Sequence, residues 1–507
     1  MDPTDPDFEY GIQSQVFESA DSNSKAFPRE TPDRGHGLFT RMRIGLGEDV
    51  FQIRKPTVAV LDTARLEDTC AHCFGEGTAY ASTEEKVKLK RCTGCQMVRY
   101  CDRTCQSKSW SFAHKYECPI FKKLPLSSLP INARAILQIA LRFKHRKMNQ
   151  GQIDNIFALT YNPNFKSVPE RYKNIANASK TVWEHGQPSF TNEDVEIMFA
   201  ILDNNCFTLT TPSSDRIGLV MDSLFASYMN HSCEYNTVVV FDGKTIYAKA
   251  IRPIDREEIL ISYIDATNPF EQRQLELQQR YNFTCECPKC NKGIETREDR
   301  FLKPVPSNSR ELLDAKSEIK RIMAHMENKS PLAKVEGYKS GMRLLRGVSI
   351  WPITRQPYAT LRDELIASLL EAQQFQAAFA QATVRYLWID PFLWREDYHP
   401  TRHMHDWVLA KLAIYISQGA EITHDTMDLR PYEIDFGLLV WMLLNKLSGK
   451  SGICSVPSFQ AMIESRYEEV CQEFAAHGLK PASMQEEMKR QWVKLNKLAD
   501  DVLLKDE

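Results

Sequence analysis

Cys92-Thr93-Gly94-Cys95-Gln96-Met97-Val98-Arg99-Tyr100-Cys101-Asp102-Arg103-Thr104-Cys105 places four cysteines in one short run. The gaps between them suit a metal-binding knuckle better than an apolar core. Outward from this run, Cys70-x2-Cys73 precedes it, and His114-x3-Cys118 follows it. A second bunch, Cys285-x-Cys287-x2-Cys290, lies far downstream with Cys233 ahead of it. These twelve residues fill three tetrahedral zinc sites with none left over. Of the 14 cysteines, Cys206, Cys454 and Cys471 stand outside the set, with no spacing that suggests a partner. A two-residue gap lets two thiolates converge on one ion at about 2.3 Å, and a closed four-ligand shell leaves no water to activate. The sites are therefore expected to be structural. Zinc replaces a core that a short Lys- and Arg-rich segment cannot build from side chains alone.

The chain has 507 residues, 43% of them hydrophobic, enough to bury a core in two or three domains. A formal charge of -2 supplies no global field for DNA or an anionic membrane. The wholly apolar run Leu438 to Leu444 is far short of the ~20 residues needed to span a bilayer. Met1-Asp2-Pro3 does not read as the start of a signal peptide. The expectation is an intracellular protein of the cytoplasm, the nucleus or both, in which clustered cysteines hold metal and not disulfides.

Residues 1–30, with Pro3, Pro6 and Pro28 among acids and serines, read as a loose leader, with order beginning near Arg34. Two glycine-punctuated apolar runs, Arg34 to Phe39 and Gly45 to Phe51, read as strands. Ala133, Ile136, Leu137, Ala140 and Leu141 recur at helical spacing, and helix is expected on to about residue 200. Asp242-Gly243, between Thr237–Phe241 and Lys244–Ile251, signals a hairpin in which both turn residues accept positive φ. Ile259–Tyr263 reads as a last short strand. From about residue 305, apolar faces such as Leu361, Leu365, Ile366, Leu369 and Leu370, or Trp407, Val408, Leu412 and Tyr415, mark successive helices.

The first bunch resembles the MYND zinc finger position for position. That resemblance implies two interleaved ions, one held by Cys70, Cys73, Cys101 and Cys105, the other by Cys92, Cys95, His114 and Cys118. Arg34-Gly35-His36-Gly37-Leu38, Asn205-Cys206-Phe207-Thr208, Asn230-His231-Ser232-Cys233, Ile261-Ser262-Tyr263-Ile264-Asp265 and Tyr281-Asn282-Phe283-x-Cys285 follow the order of SET-domain lysine methyltransferases. The whole beyond residue 30 resembles the SET and MYND domain-containing (SMYD-type) lysine methyltransferase family, in its fungal form. The implied fold is an α+β multidomain chain: a SET N-terminal part at 31–69, the MYND finger at 70–118, a helical SET insertion at 119–200, the SET core at 201–268, a cysteine-rich post-SET at 269–295, and an all-α tetratricopeptide-like domain at 305–507. Tyr398-His399-Pro400-x-Arg402 belongs to the resemblance in that tail. One departure is Glu234-Tyr235-Asn236, where the family often has Asp-Pro-Asn.

The resemblance also implies chemistry: S-adenosylmethionine as methyl donor, three structural zinc ions, and a protein lysine, histone or non-histone, as acceptor. Arg34 and His36 would flank the donor, with Gly35 and Gly37 removing bulk beside it. Asn205 and Asn230 would bind its amino acid portion, and the backbone of His231 would lie near adenine. Phe283 would stack on adenine. Tyr263, next to the donor, would orient the incoming amine through its hydroxyl, and Tyr281 would wall the lysine channel. Cys233, Cys285, Cys287 and Cys290 would hold the third zinc and pin this segment. A non-catalytic adaptor binding peptides through finger and tail is the alternative. A peptide partner at either place, a monomeric state and no membrane association are expected. Lys86, Lys88, Lys90, Arg91, Arg99 and Arg103 offer at most a local nucleic-acid contact.

Overall fold

The computed structural model describes residues 25–31, 34–76, 88–125, 128–213, 215–299, 310–348, 351–419, 425–450 and 452–506. Lys86 and most of the expected leader lie outside them. The chain divides into two compact units, the first running to Tyr263 and taking in Glu276–Cys285 and Val456–Phe459, the second holding Ile264–Leu275, Glu286–Ser455 and Gln460–Glu507. The α+β class expected from the sequence is the one observed, with the strands in the first unit and a run of helices in the second.

In the first unit β1 (Ala26–Thr31) pairs antiparallel with β2 (Gly35–Thr40) in an unbroken register from Ala26 with Thr40 to Thr31 with Gly35. The stretch read as a leader thus includes most of a paired strand. Pro28 is tolerated because β1 has a partner on one side only, and Arg29 lies 3.7 Å from the centre of the Phe39 ring. Next come β3 (Arg43–Ile44), β4 (Asp49–Ile53) and β5 (Val58–Leu61). The finger contributes β6 (Lys90–Arg91) and β7 (Arg99–Tyr100). After it come β8 (Phe207–Thr210), β9 (Arg216–Met221), β10 (Asn230–His231), β11 (Thr237–Asp242), β12 (Thr245–Ala250), β13 (Ile254–Asp255) and β14 (Leu260–Ile261). β12 lies between β11 and β4, and every one of its residues is buried, as a central strand requires.

The hairpin forms, but in a frame one residue later than expected. Asp242 pairs with Thr245, so Gly243 and Lys244 make the turn, and of the Asp-Gly pair only Gly243 takes a positive φ, +58°. Glycine at the first central position fits a II′-type turn. A Cβ there would also come within 2.4 Å of the Cys73 carbonyl oxygen, so the finger packs directly on this turn. The carboxylate of Asp242 instead accepts hydrogen bonds from the backbone N–H and hydroxyl of Ser458, which ties Val456–Phe459 to this unit.

Helix Ile131–Lys144 is buried along most of its length. Its polar side chains find partners at long range: Arg142 donates to the Thr57 carbonyl, Arg134 to Thr63 Oγ1 and Gln138 to Glu117 Oε1. In the second unit, helices Arg310–Met326, Pro331–Val348, Tyr358–Glu371, Phe375–Val384, Pro400–Ser417, Phe436–Ser448 and Gln485–Asp506 pack as neighbours. The apolar faces read around Leu361 and Trp407 are buried in this stack, while Tyr415 stays exposed. Ile264–Leu275 joins this unit because Phe270 N donates to Asp299, and Gln356 donates to Thr267. Among the described residues no helix is long and apolar enough to cross a membrane.

Candidate functional site

The finger gathers two ligand sets, Cys70, Cys73, Cys101 and Cys105 in one and Cys92, Cys95, His114 and Cys118 in the other. The ligand atoms of each lie within 4.8 Å of one another, as a tetrahedral zinc requires. Local structure aims them. Asp102 caps helix Arg103–Ser109 by accepting from Cys105 N at 2.8 Å. A π-helical turn over Trp110–His114 then joins that helix to Lys115–Lys123, which carries Cys118. His114 points Nε2 at Cys92 and Cys95, at 3.4 and 3.6 Å, leaving Nδ1 facing buried Glu117 at 3.6 Å.

The thiols cannot all ionise without a cation. A hydrogen bond from Cys73 holds Cys70 down at about 4 and pushes Cys73 itself upward. Burial, then repulsion from neighbouring thiolates, pushes Cys105 and Cys118 up to about 12. Only a multivalent ion lets four such groups shed their protons together, so the donor sets fit zinc.

The third set is Cys233, Cys285, Cys287 and Cys290, again within 4.8 Å. Arg273, fully buried, turns Nη2 toward Cys290 Sγ at 3.8 Å, a cation suited to a net-negative thiolate cluster. Three residues after Cys233, the buried Asn236 exchanges hydrogen bonds with Leu260 and donates to the Glu258 carbonyl. Asn236 is thus fixed in position after Glu234 and Tyr235. Above Cys233, strand β10 pairs in parallel with β14, matching Asn230 to Leu260 and His231 to Ile261.

His231 connects this metal set to Tyr263. Its Nδ1 accepts from Tyr263 N at 3.0 Å, so the proton sits on Nε2, which lies 3.3 Å from Cys233 Sγ. The Tyr263 ring is tilted 5.3 Å from that of His231 and 4.8 Å from that of Tyr281, while Phe283 lies 5.9 Å from His231. The Tyr263 hydroxyl donates to the Met229 carbonyl at 2.7 Å. Burial raises the phenol above its usual range, so it stays neutral with a lone pair free to accept. Asn282 takes a left-handed conformation, φ +60°, where helix Phe270–Tyr281 stops, and so sets Tyr281 and Phe283 on either side of the turn.

A polar group lies on the neighbouring strands. Glu258 accepts from Arg34 at 2.9 Å and from Asn230 at 2.8 Å, and Asn230 also donates to the His36 carbonyl. Gly37 is required here: a Cβ would come within 2.6 Å of Glu258 Oε1. Gly35 takes φ +65°, and the His36 ring stands 5.7 Å from Tyr228. Asn205 is placed apart from these residues. Its amide nitrogen donates to the Thr160 and Ile201 carbonyls, at 2.9 and 2.8 Å, leaving its oxygen for a ligand. Sequence reading missed Glu258 and the loop beginning at Thr160, whose Asn162 and Asn164 bond to Gln279 and Asn282. In the expected basic patch, Arg91 and Arg99 both face Glu67.

Comparison with known proteins places this geometry in context. Residues 70–118 match the MYND finger family. The chain is 27% identical over 356 residues to the SET domain and MYND-type zinc finger protein 6 of Schizosaccharomyces pombe, covering 69% of this chain and 64% of that protein. It is 25% identical over 316 residues to histone-lysine N-methyltransferase SMYD3 of Mus musculus, covering 60% and 69%. It is 26% identical over 276 residues to histone-lysine N-methyltransferase ASHR1 of Arabidopsis thaliana, covering 51% and 54%. The chain spans between 54% and 69% of the lengths of these relatives. A SET domain crystallised with lysine and AdoHcy superposes with a TM-score of 0.29 at 12% identity over 92% of each chain, too distant to argue from.

Proposed function

We propose that this chain, with its MYND finger and its similarity to SET-and-MYND proteins, is an S-adenosylmethionine-dependent protein-lysine N-methyltransferase acting on histone or other protein lysines of the nucleus or cytoplasm. The carrying observation is the Tyr263 constellation: a neutral, immobilised phenol flanked by Tyr281, Phe283 and His231 and linked by one imidazole to a four-cysteine metal set.

The residues present fit the donor. Both amide hydrogens of Asn230 are spent on His36 O and Glu258 Oε1, and both of Asn205 on carbonyls, so each asparagine offers its oxygen as an acceptor suited to an α-ammonium group. Arg34, more than half exposed, supplies the matching charge for an α-carboxylate. Phe283, half-buried beside His231, offers a flat face for adenine. Bound there, S-adenosylmethionine would supply a methyl group activated by a sulfonium.

The chain's own residues align the acceptor and keep water away. With its proton committed to Met229 O, the Tyr263 hydroxyl can only accept, so it selects a neutral amine that donates N–H and points its lone pair elsewhere. Tyr281, 4.8 Å from Tyr263 and with its own phenol raised by burial, walls the approach without ionising. The three zinc sets have a structural role.

Tyr263→Phe tests the reading. Donor binding, measured by calorimetry, should be unchanged, while methyl transfer from labelled donor to a histone mixture or a cell lysate should fall roughly 10- to 100-fold, the worth of one hydrogen bond made near the transition state. Equal transfer by the variant overturns the role of the hydroxyl. Tight donor binding with no transfer by the wild-type protein would favour the adaptor reading.

A further inference from the structure

A cavity of about 760 Å3 in the first unit shares no residue with the Tyr263 constellation. It opens where the finger meets the β11–β12 turn and helix Ile131–Lys144. Phe74 and Phe112 wall it from the finger, Pro56 and Leu61 from beside β5, and Gln138 from the helix. Its volume is that of a small-molecule pocket.

Its charges are unbalanced. Arg54, Lys55, Lys108, Arg134 and Lys244 line it, against only Glu76 and Glu117. Glu117 is committed to Gln138 and His114, and Arg134 to the Leu129 carbonyl and Thr63. Lys244 is different. It is partly buried, has no hydrogen-bond or ion-pair partner among the described residues, and meets only the Phe112 ring, 5.9 Å from its ammonium. The nearby Cys70, Cys73, Cys101 and Cys105 set, net negative with zinc bound, and Glu76 lower the cost of burying that charge but take none of its three donors. The cavity wall therefore presents an unfilled cation, costly to leave unmade.

We propose that this cavity binds a small organic anion: a carboxylate or phosphate to satisfy Lys244 and a flat apolar body against Phe74 and Phe112. Walls on the finger, strand and helix sides favour a compact molecule over a peptide. The proposal stands independently of the methyl-transfer reading.

The test uses the zinc-loaded full chain and two probes with one aromatic body, anionic 1-anilinonaphthalene-8-sulfonate and uncharged N-phenyl-1-naphthylamine. The anionic probe should bind the wild type tighter than the uncharged one. Lys244→Ala should weaken it tenfold or more, roughly the worth of a charged hydrogen bond, and Lys244→Arg should restore it. Zinc content and near-ultraviolet circular dichroism should be the same in all variants. Phenyl phosphate should displace the probe. The proposal is overturned if the anionic probe does not bind, if it binds wild type and Lys244→Ala alike, if the uncharged probe binds as tightly, or if only an acidic peptide displaces it.

Discussion

The finger and the helical unit both bury charge, and they neutralise it by different means. In the finger, seven thiols and one imidazole are crowded into two sets that can discharge only onto metal. In the helical unit, Arg385, 3% exposed, lies between Asp363 and Asp390, His405 Nδ1 reaches Asp390 at 3.1 Å, and Lys446 meets Asp406 at 2.9 Å. One region borrows its counter-charge from solution; the other encodes it. The two should therefore fail under different insults.

Chelation is the sharpest way to separate them. Structural zinc contributes on the order of 10 kcal/mol to such modules. Stripping it should abolish hydrogen-exchange protection across 88–123 while leaving helices Tyr358–Glu371 and Phe436–Ser448 protected. Equal loss in both regions would erase the contrast. Next in size is Asp390→Ala, which takes one of two carboxylates from the buried Arg385 guanidinium and leaves Asp363 as its only acid partner, and should cost about 3 kcal/mol in denaturant unfolding of the helical unit, with zinc content unchanged.

Acid tests the encoded side. Burial, then repulsion from His403 and His405, holds His399 down at about 3, and burial followed by Lys446 holds His403 at about 4. Below the unfolded value near 6.5, the unfolded chain takes up protons that the folded one refuses, so stability is full above that pH and declines as pH falls toward 4. The expected slope is about 1.4 kcal/mol per pH unit for each histidine. His399→Gln should flatten it, and an unchanged slope would remove that residue from the account. The smallest effect concerns Glu117 behind His114. Glu117→Gln should speed zinc transfer to a chromophoric chelator by about tenfold, with no change in the helical unit.

What could be read from the sequence follows the same division. Metal ligands announce themselves because their spacing is local, and the pairing implied by the MYND resemblance is the pairing the sulfurs adopt. Tyr398-His399-Pro400-x-Arg402 also has a local meaning: His399 Nδ1 accepts from Thr401 N at the start of helix Pro400–Ser417, and Arg402 reaches back to the Trp394 and Arg395 carbonyls. Glu258 was invisible because Arg256-Glu257-Glu258 reads as a solvated run, and its burial depends on Arg34, 224 residues away. The β1 strand was hidden by Pro28, which only an edge position excuses. Asn205 could be named from resemblance, but the Thr160 carbonyl that fixes its amide lies in a loop without a pattern.

The short parallel pairing of β10 with β14 has a consequence for how the molecule comes into being. Gly37, Tyr263 and Phe283 all meet residues of β10, and Cys233 just beyond it shares a metal set with Cys290, so a nascent chain leaving the ribosome must wait until Cys290 has emerged before this region can close, whereas each knuckle of the finger can assemble as soon as residue 118 is out. During synthesis, therefore, the finger is available as a finished platform against which the slower, long-range part of the fold is built.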